Sequence, residues 1–289
     1  MAVHPIEVAN LSSRSSPSRT GSLIAPREHG AWGLLLVPLL TGGMVGVLQG
    51  GNALPLVALI LSAVALFWLR TPAENWLGTG LLRVQTAQDR RTVAGATFML
   101  STVAILSLVA LFWNGRNRDL LFLGAIVIVA FVAQAILRKL SRKTRMLSQF
   151  VGAIGLTVSA PAAYYVVSGE LNRTAWTLWA ANFLFAVNQI HFVQLRIHSA
   201  RLSGWSDRVA QGHSFLLSEA LLLVALFSCW RLHVVPTLVT FAFLPLLIRG
   251  SAWFFEDWKP LAVRRLGWTE LAHAVVFGIL LVSAFDLRR

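Results

Sequence analysis

Nine apolar segments, each about as long as a bilayer is thick, recur along the chain and constrain its fold more than any other feature. A helix needs roughly 20 apolar residues to cross the hydrocarbon core, and open sheets cannot satisfy their backbone hydrogen bonds there. The sequence therefore predicts an all-α, polytopic transmembrane helical bundle with about nine spans. The predicted segments are residues 30–48, 53–69, 93–113, 119–137, 147–167, 174–195, 214–231, 233–248 and 269–285.

The composition favours a membrane protein over a soluble or nucleic-acid-binding one. Hydrophobic residues make up 56% of the chain and charged residues 13%, whereas a soluble domain carries about 25% charged residues. The net charge is +13, but the basic residues are scattered through short loops, which suits anionic lipid head groups. Membrane lipids are thus the predicted partners, and no nucleic acid is expected.

The distribution of Lys and Arg predicts an orientation. If the N-terminus is cytoplasmic, 19 of the 25 basic residues fall on the cytoplasmic side, which indicates an odd number of spans and an outside C-terminus. Residues 1–25 are rich in Ser and Arg, and we expect a disordered cytoplasmic tail there. The transmembrane domain would occupy residues 26–289. A hairpin near residues 231–234 would separate segments seven and eight, with one long or re-entrant element as the alternative.

A polar stripe runs down the sixth segment. At helical spacing, one side of it carries His191, Gln194, His198 and Arg201, with Asn188 at its edge. Polar side chains inside a membrane are costly and are therefore functional candidates. The stripe predicts a cytoplasm-facing cavity, and the alternative is that these groups hydrogen-bond to a neighbouring helix as packing contacts.

Two further stretches supply candidate residues. Thr71, Pro72 and Glu74 match a capping box, which predicts a new surface helix starting at Thr71. Alternatively, Glu74 and Asn75 face the same cavity as the stripe. At the entry to the first span, charged and His residues are dense; they form either a solvated helix start or part of a site. These entry residues are Arg27, Glu28 and His29.

The even-numbered segments end in arginines. These arginines either determine the orientation of the chain in the membrane or form a basic rim that holds an anion. Glu256 and Asp257 are predicted at the membrane interface, and Glu270 is predicted near the N-terminus of the last helix. The fifth segment is rich in small residues and should pack centrally. No Walker, nucleophile-elbow, HExxH or paired-cysteine motif occurs in the sequence.

Three short motifs resemble those of the YwiC-like family of bacterial membrane proteins. They are Arg27-x-His29-Gly30-Ala31-Trp32, Phe192-Val193-x-Leu195-Arg196-Ile197 and Arg265-x-Gly267-Trp268-x-Glu270. The resemblance implies a multi-pass protein of the bacterial inner membrane, and it implies no settled chemistry.

The predicted topology is also similar to that of UbiA-type prenyltransferases. That resemblance implies sites at the loops after spans two and six, where the family holds Mg²⁺ and a prenyl pyrophosphate on aspartate-rich motifs. The corresponding stretches here are Glu74-Asn75 and Asn188-Gln189-x-His191, which contain no aspartate. Because Mg²⁺ favours carboxylate oxygens, the sequence assigns no metal or cofactor.

Two hypotheses of function follow. In the first, a UbiA-like enzyme acts on an isoprenoid or other lipid, with Glu74, Asn188 and His191 as catalytic candidates. In the second, a transporter or a small-ligand-binding or accessory membrane protein uses the same stripe without catalysis. The candidate substrate-binding residues are Arg27, Glu28, His29, Arg70, Asn75, Arg83, Gln194, Arg196, His198 and Arg201.

Overall fold

The fold is built entirely from helices in the part of the chain that the structure describes. A computed structural model describes residues 23–24, 29–76, 86–113, 118–141, 144–200, 202, 204–256 and 261–287. The predicted N-terminal tail lies outside these residues apart from Leu23 and Ile24. The helices are α1 (His29–Leu48), α2 (Leu54–Trp76), α3 (Ala87–Trp113), α4 (Arg118–Leu140), α5 (Arg145–Thr157), α6 (Ser159–Ser168), α7 (Arg173–His198), α8 (Trp205–Arg231), α9 (Thr237–Phe241), α10 (Leu244–Ala252) and α11 (Val263–Asp286).

The helices match the apolar segments, so the prediction of an all-α membrane protein is confirmed. Among the described residues, six segments are long and apolar enough to cross a membrane: α2, α3, α4, α8, α11 and the combined stretch Arg145–Ser168. Two shorter apolar stretches, Trp32–Leu48 and Thr237–Ala252, correspond to the first and eighth predicted segments. The more polar α7 corresponds to the sixth. The number of helices that cross the bilayer stays a prediction.

The chain divides into two compact units. The first comprises residues 1–27 and 64–105, and the second comprises residues 28–63 and 106–289. Within the first unit, Ala65 of α2 packs on Leu100 and Ala104 of α3. Within the second unit, the largest core cluster draws on α1, α6, α7, α8, α9, α10 and α11, and rings of α7 and α11 stack at its centre. The helix α7 packs against α1, α5, α6 and α8.

Close packing of α1 on α6 depends on glycine. A Cβ added at Gly42 would lie 2.0 Å from the carbonyl oxygen of Ala160. Every residue of α6 from Ala160 to Val167 is buried, as expected for the small-residue segment. Because lipid gives helices little hydrophobic reason to associate, such backbone approach supplies much of their packing energy.

Two predicted segments are interrupted. Segment five breaks at Val158, between α5 and α6, and segment eight breaks at Ala242 and Phe243, between α9 and α10. Each break lies just before a proline, Pro161 or Pro245; proline lacks an N–H donor and its ring clashes with the carbonyl four residues earlier. The break residues keep helical backbone angles. These breaks are therefore kinks and not unwound segments.

The predicted surface helix at Thr71 is wrong, whereas the predicted hairpin is present. The helix α2 continues through Thr71 and Pro72 to Trp76. The side chain of Arg70 donates from Nε to Glu74 Oε1 at 2.9 Å, an i, i+4 pair that stabilises a continuous helix instead of a new N-terminus. The hairpin after α8 turns at His233, whose φ is 50°.

Candidate functional site

An open cleft of about 330 Å³ lies between α5, α7 and α8, within the second unit. Three helices contribute its walls, and most of the side chains that they supply are polar. The lining residues are Arg145, Met146, Gln149, His191, Gln194, Leu195, His198, Gln211 and Ser214. The cleft thus places polar groups among apolar surface, on helices whose other exposed faces are largely apolar.

The stripe predicted on the sixth segment forms one wall of this cleft. The amide of Gln194 donates from Nε2 to Gln149 Oε1 at 3.2 Å, which joins α7 to α5. His198 Nδ1 lies 2.7 Å from the carbonyl oxygen of Gln194. Since a carbonyl oxygen only accepts, Nδ1 carries the proton and Nε2 is the nitrogen free to meet a ligand. Arg201 lies outside the described residues.

His191 is held by two serines of α8. Its Nδ1 lies 3.1 Å from Ser218 Oγ, and its Nε2 lies 3.4 Å from Ser214 Oγ. The ring also meets Phe215 edge to face, with the ring centroids 5.3 Å apart. The imidazole is therefore oriented by contacts on both nitrogens and on its ring.

The charge of the cleft favours an anion. Arg145 is exposed at the start of α5, and it is the charged residue among the nine that line the cleft. No carboxyl group occurs in that lining, and no carboxylate among the described residues pairs with Arg145. Two imidazoles and three amides add hydrogen-bond donors. A phosphate or carboxylate group would find complementary partners here.

A second polar cluster is buried on another side of α7. Arg249 of α10 forms an ion pair with Glu270 of α11 through Nη1, and its Nη2 donates to Asn188 Oδ1 at 3.2 Å. Asn188 in turn donates from Nδ2 to Glu219 Oε1 of α8 at 2.6 Å. Gln189 donates to the backbone carbonyl of Glu270 at 2.9 Å. We call Asn188, Glu219, Arg249 and Glu270 the buried ion cluster.

Aromatic rings surround the buried ion cluster. The guanidinium of Arg249 lies 4.1 Å from the centroid of Phe192. That of Arg196 lies 5.7 Å from the centroid of Trp253, and its Nη1 is 3.9 Å from Glu256 Oε2. Cations over aromatic faces are stabilised by the ring quadrupole. Arg196 and Arg249 are thus engaged by protein groups and do not line the cleft, unlike the open basic rim considered from the sequence.

The structure separates the predicted site residues into groups. Of the predicted site residues that the structure describes, His191, Gln194 and His198 line the cleft, whereas Asn188 belongs to the buried ion cluster. In the first unit, Arg70 pairs with Glu74, and Asn75 donates to the carbonyl of Leu23 at 2.8 Å. A cavity shared by these residues and the stripe stays a prediction. Arg27, Glu28, Arg83 and the side chain of His29 lie outside the described residues.

The donor set does not suit a hard metal ion. Among the described residues, no group of three His, Cys, Asp or Glu side chains is placed to hold a metal. Asn188, one of the residues at the UbiA-like position, already uses its carbonyl oxygen to accept from Arg249. The guanidinium that donates to this oxygen would also repel a divalent cation placed there. We therefore assign no step to a metal.

Several important residues were missed by the sequence analysis. Glu219 is a carboxylate within the apolar run of α8, a signal that marks a candidate by itself. Ser214 and Ser218 carry no such signal, because serine is common in membrane helices and their role depends on the facing His191. Gln149 and Gln211 could be recognised as site residues only from the structure, which places α5 and α8 against α7.

Thiol labelling should distinguish the faces of α7. In a Cys229→Ser background, we expect Gln194→Cys and His198→Cys to react at least about tenfold faster with a charged, water-soluble reagent than Phe185→Cys and Phe192→Cys, because thiol reactivity follows exposure. The phenylalanines are 3% exposed. Equal rates at all four positions would contradict the open cleft.

The fold and the apolar helices define a polytopic α-helical membrane protein. A model of the family described as YwiC-like protein matches residues 25–164. The chain is also 23% identical over 260 residues to "Uncharacterized protein YwiC" of Bacillus subtilis (strain 168), which covers 88% of this chain and 95% of the relative. Both matches support the resemblance to the YwiC-like family that the three motifs indicated. No solved structure matches it significantly.

The second and third family-like motifs meet in the structure. Phe192 belongs to the second motif and Glu270 to the third, and both contact Arg249. The two motifs are therefore parts of one buried assembly, although they lie far apart in the sequence. The first motif begins outside the described residues.

Proposed function

We propose that this protein binds the anionic head group of a membrane amphiphile, such as an isoprenoid or other lipid phosphate, and acts on it as an enzyme of the bacterial inner membrane. The observation that carries the proposal is the cleft itself: Arg145, His191 and His198 line it, and no carboxyl group of the described residues does. Guanidinium and imidazole donors suit phosphate oxygens. The distribution of Lys and Arg predicts that the cleft opens to the cytoplasmic side of the membrane.

The surroundings of the cleft suit the tail of such a ligand. Met146 and Leu195 lie among the lining residues. Leu147 and Leu217, on α5 and α8, are 52% and 61% exposed. Exposed apolar side chains beside a polar cleft allow a head group to enter while its hydrocarbon tail stays against the helices.

The catalytic candidates have unequal support. His191 lies in the cleft with an oriented ring, so it is the residue best placed to move a proton at a bound head group. In this proposal Asn188 does not touch the head group and belongs to the buried ion cluster behind the cleft. The site roles of Glu74 and Asn75 stay predictions. Magnesium-dependent prenyl transfer is not part of the proposal, because the oxygen donors expected for it are absent or engaged.

Transport is the alternative, and the buried ion cluster favours it. Two carboxyl groups flank one guanidinium within helices α8, α10 and α11. Charged groups inside membrane helices often mark ion or substrate pathways. Solute or ion flux in liposomes that Glu219→Gln abolishes would favour this alternative.

Paired ligands provide the test of the proposed function. A polyprenyl monophosphate should bind the purified protein more tightly than the corresponding alcohol, and Arg145→Gln should weaken phosphate binding about tenfold to a hundredfold, because a hydrogen bond to a charged group is worth about 1.5–3 kcal/mol. Binding of the alcohol should change little. Microscale thermophoresis in nanodiscs would measure both affinities.

The control is Arg231→Gln, which removes an exposed arginine at the far end of α8. It should leave phosphate binding unchanged. Equal affinities for phosphate and alcohol, or an equal effect of the two substitutions, would contradict the proposal.

A further inference from the structure

Two serines one helical turn apart on α8 face the two nitrogens of one imidazole. Ser218 Oγ lies 3.1 Å from His191 Nδ1, and Ser214 Oγ lies 3.4 Å from Nε2. Both Ser214 and His191 line the cleft, whereas Ser218 does not. The Nε2 side of the ring therefore faces the ligand space, and the Nδ1 side faces the protein.

The hydrogen bonds of Ser218 determine which nitrogen carries the proton. Its hydroxyl donates to the backbone carbonyl of Phe215 at 2.8 Å, and a hydroxyl has a single proton. Ser218 Oγ must then accept from His191, so Nδ1 is protonated and Nε2 presents its lone pair. That lone pair points to Ser214 Oγ, which donates to it. This is the tautomer that a general base needs.

The separation of Ser214 and His191 is compatible with proton transfer. The 3.4 Å distance is longer than an ideal O–H···N hydrogen bond. Catalytic hydrogen bonds are commonly long before a ligand binds and tighten in the complex. Ser214 is exposed, so a rotation about its own Cα–Cβ bond is unhindered by packing.

We propose that Ser214 is a nucleophile activated by His191, and that the protein hydrolyses an ester of the anionic amphiphile bound in the cleft. Ser214 Oγ forms a bond to the ester carbonyl carbon while its proton moves to His191 Nε2. The bond from that carbon to the leaving alcohol oxygen then breaks, and Nε2 returns the proton to this oxygen. A water oxygen then bonds to the same carbon while its proton moves to Nε2. The bond from that carbon to Ser214 Oγ breaks, the acid leaves, and Nε2 returns the proton to Oγ.

Other cleft residues fit the same reaction. Gln149 accepts through Oε1 from Gln194, and its own amide N–H groups have no partner among the described residues. Gln149 and Gln211 are thus amide donors available to the oxyanion that forms at the carbonyl oxygen. Ser218 is a positioning residue, because it acts on the reaction only through His191. The inference rests on the proposed function for the binding of the head group.

A fluorophosphonate probe with an alkyl chain tests the nucleophile without needing an anionic head group. Its phosphorus should bond to Ser214 Oγ with loss of fluoride, and peptide mass spectrometry of the full-length protein should find the label on Ser214. His191→Gln should slow labelling at least about a hundredfold, the scale of general-base catalysis. Ser228→Ala, on an exposed part of the same helix, should leave labelling unchanged.

The positioning role of Ser218 has its own readout. Ser218→Ala should slow labelling about tenfold or more, because His191 Nδ1 loses the acceptor that keeps its proton there. Ser218→Thr keeps the hydroxyl and should restore the rate of labelling. Wild-type protein that is not labelled, or labelled at another serine, overturns the inference. So does Ser214 labelling that His191→Gln does not slow in a variant with an unchanged melting temperature.

The two proposals fail in different ways. Absent labelling with retained binding of the polyprenyl monophosphate would overturn the nucleophile and leave the proposed ligand class intact. Labelling of Ser214 without any phosphate preference would overturn the proposed head group and leave the nucleophile intact.

Discussion

Replacing Arg249 with methionine should lower the free energy of unfolding by about 3–5 kcal/mol, the scale for removing one partner of a buried ion pair. The side chains of Arg249 and Glu270 are 9% and 5% exposed. The substitution would leave Glu270 without its counter-ion and Asn188 Oδ1 without its donor. Thermal unfolding in detergent, monitored by tryptophan fluorescence, would measure the effect, and we expect a large fall in the melting temperature.

Two companion variants make this prediction specific. Arg231→Met removes an exposed arginine and should change the melting temperature little. The double variant Arg249→Met with Glu270→Leu should recover part of the loss, because an apolar pair can replace a buried ion pair of similar volume. If Arg249→Met behaves like Arg231→Met, Arg249 does not stabilise the fold.

Adding one methyl group at Gly42 should destabilise the protein by at least about 1–3 kcal/mol, the usual cost of overpacking. The new Cβ of Gly42→Ala would lie 2.0 Å from the carbonyl oxygen of Ala160. That neighbour is backbone in a buried helix, so it cannot move aside as a flexible side chain would. Thermal unfolding in detergent would measure the effect.

The matched control is Gly124→Ala, since a Cβ at Gly124 meets nothing within 4 Å. It should leave stability unchanged or raise it slightly, because alanine has the higher helix propensity. Equal melting temperatures for the two alanine variants would mean that α1 and α6 are not in close contact.

Hydropathy identified where the helices lie because one physical requirement, shielding the backbone from lipid, dominates each segment. The ends were less predictable. The helix α8 begins at Trp205 instead of residue 214, and α2 passes through Thr71 and Pro72. Both errors arise where polar residues continue a helix beyond its apolar part, so that local capping and turn signals compete with helix continuity.

The candidate site was predictable only on a single helix. Periodicity placed His191, Gln194 and His198 on one face, and the structure has all three in one cleft. The partners of those residues come from α5 and α8, and a single sequence contains no information on which faces of separate helices meet. For the same reason, Asn188 was grouped with the cleft although it contacts Glu219 and Arg249.

Adjacent residues of α8 meet α7 in two different ways, and this fixes the register of the two helices. Ser218 contacts His191, while the next residue, Glu219, accepts from Asn188. One residue of a helix corresponds to a rotation of about 100°, so a slip by a single position would carry the Glu219 carboxylate toward the imidazole and remove it from the buried ion cluster. Sliding α7 along α8 would therefore break both contacts at once.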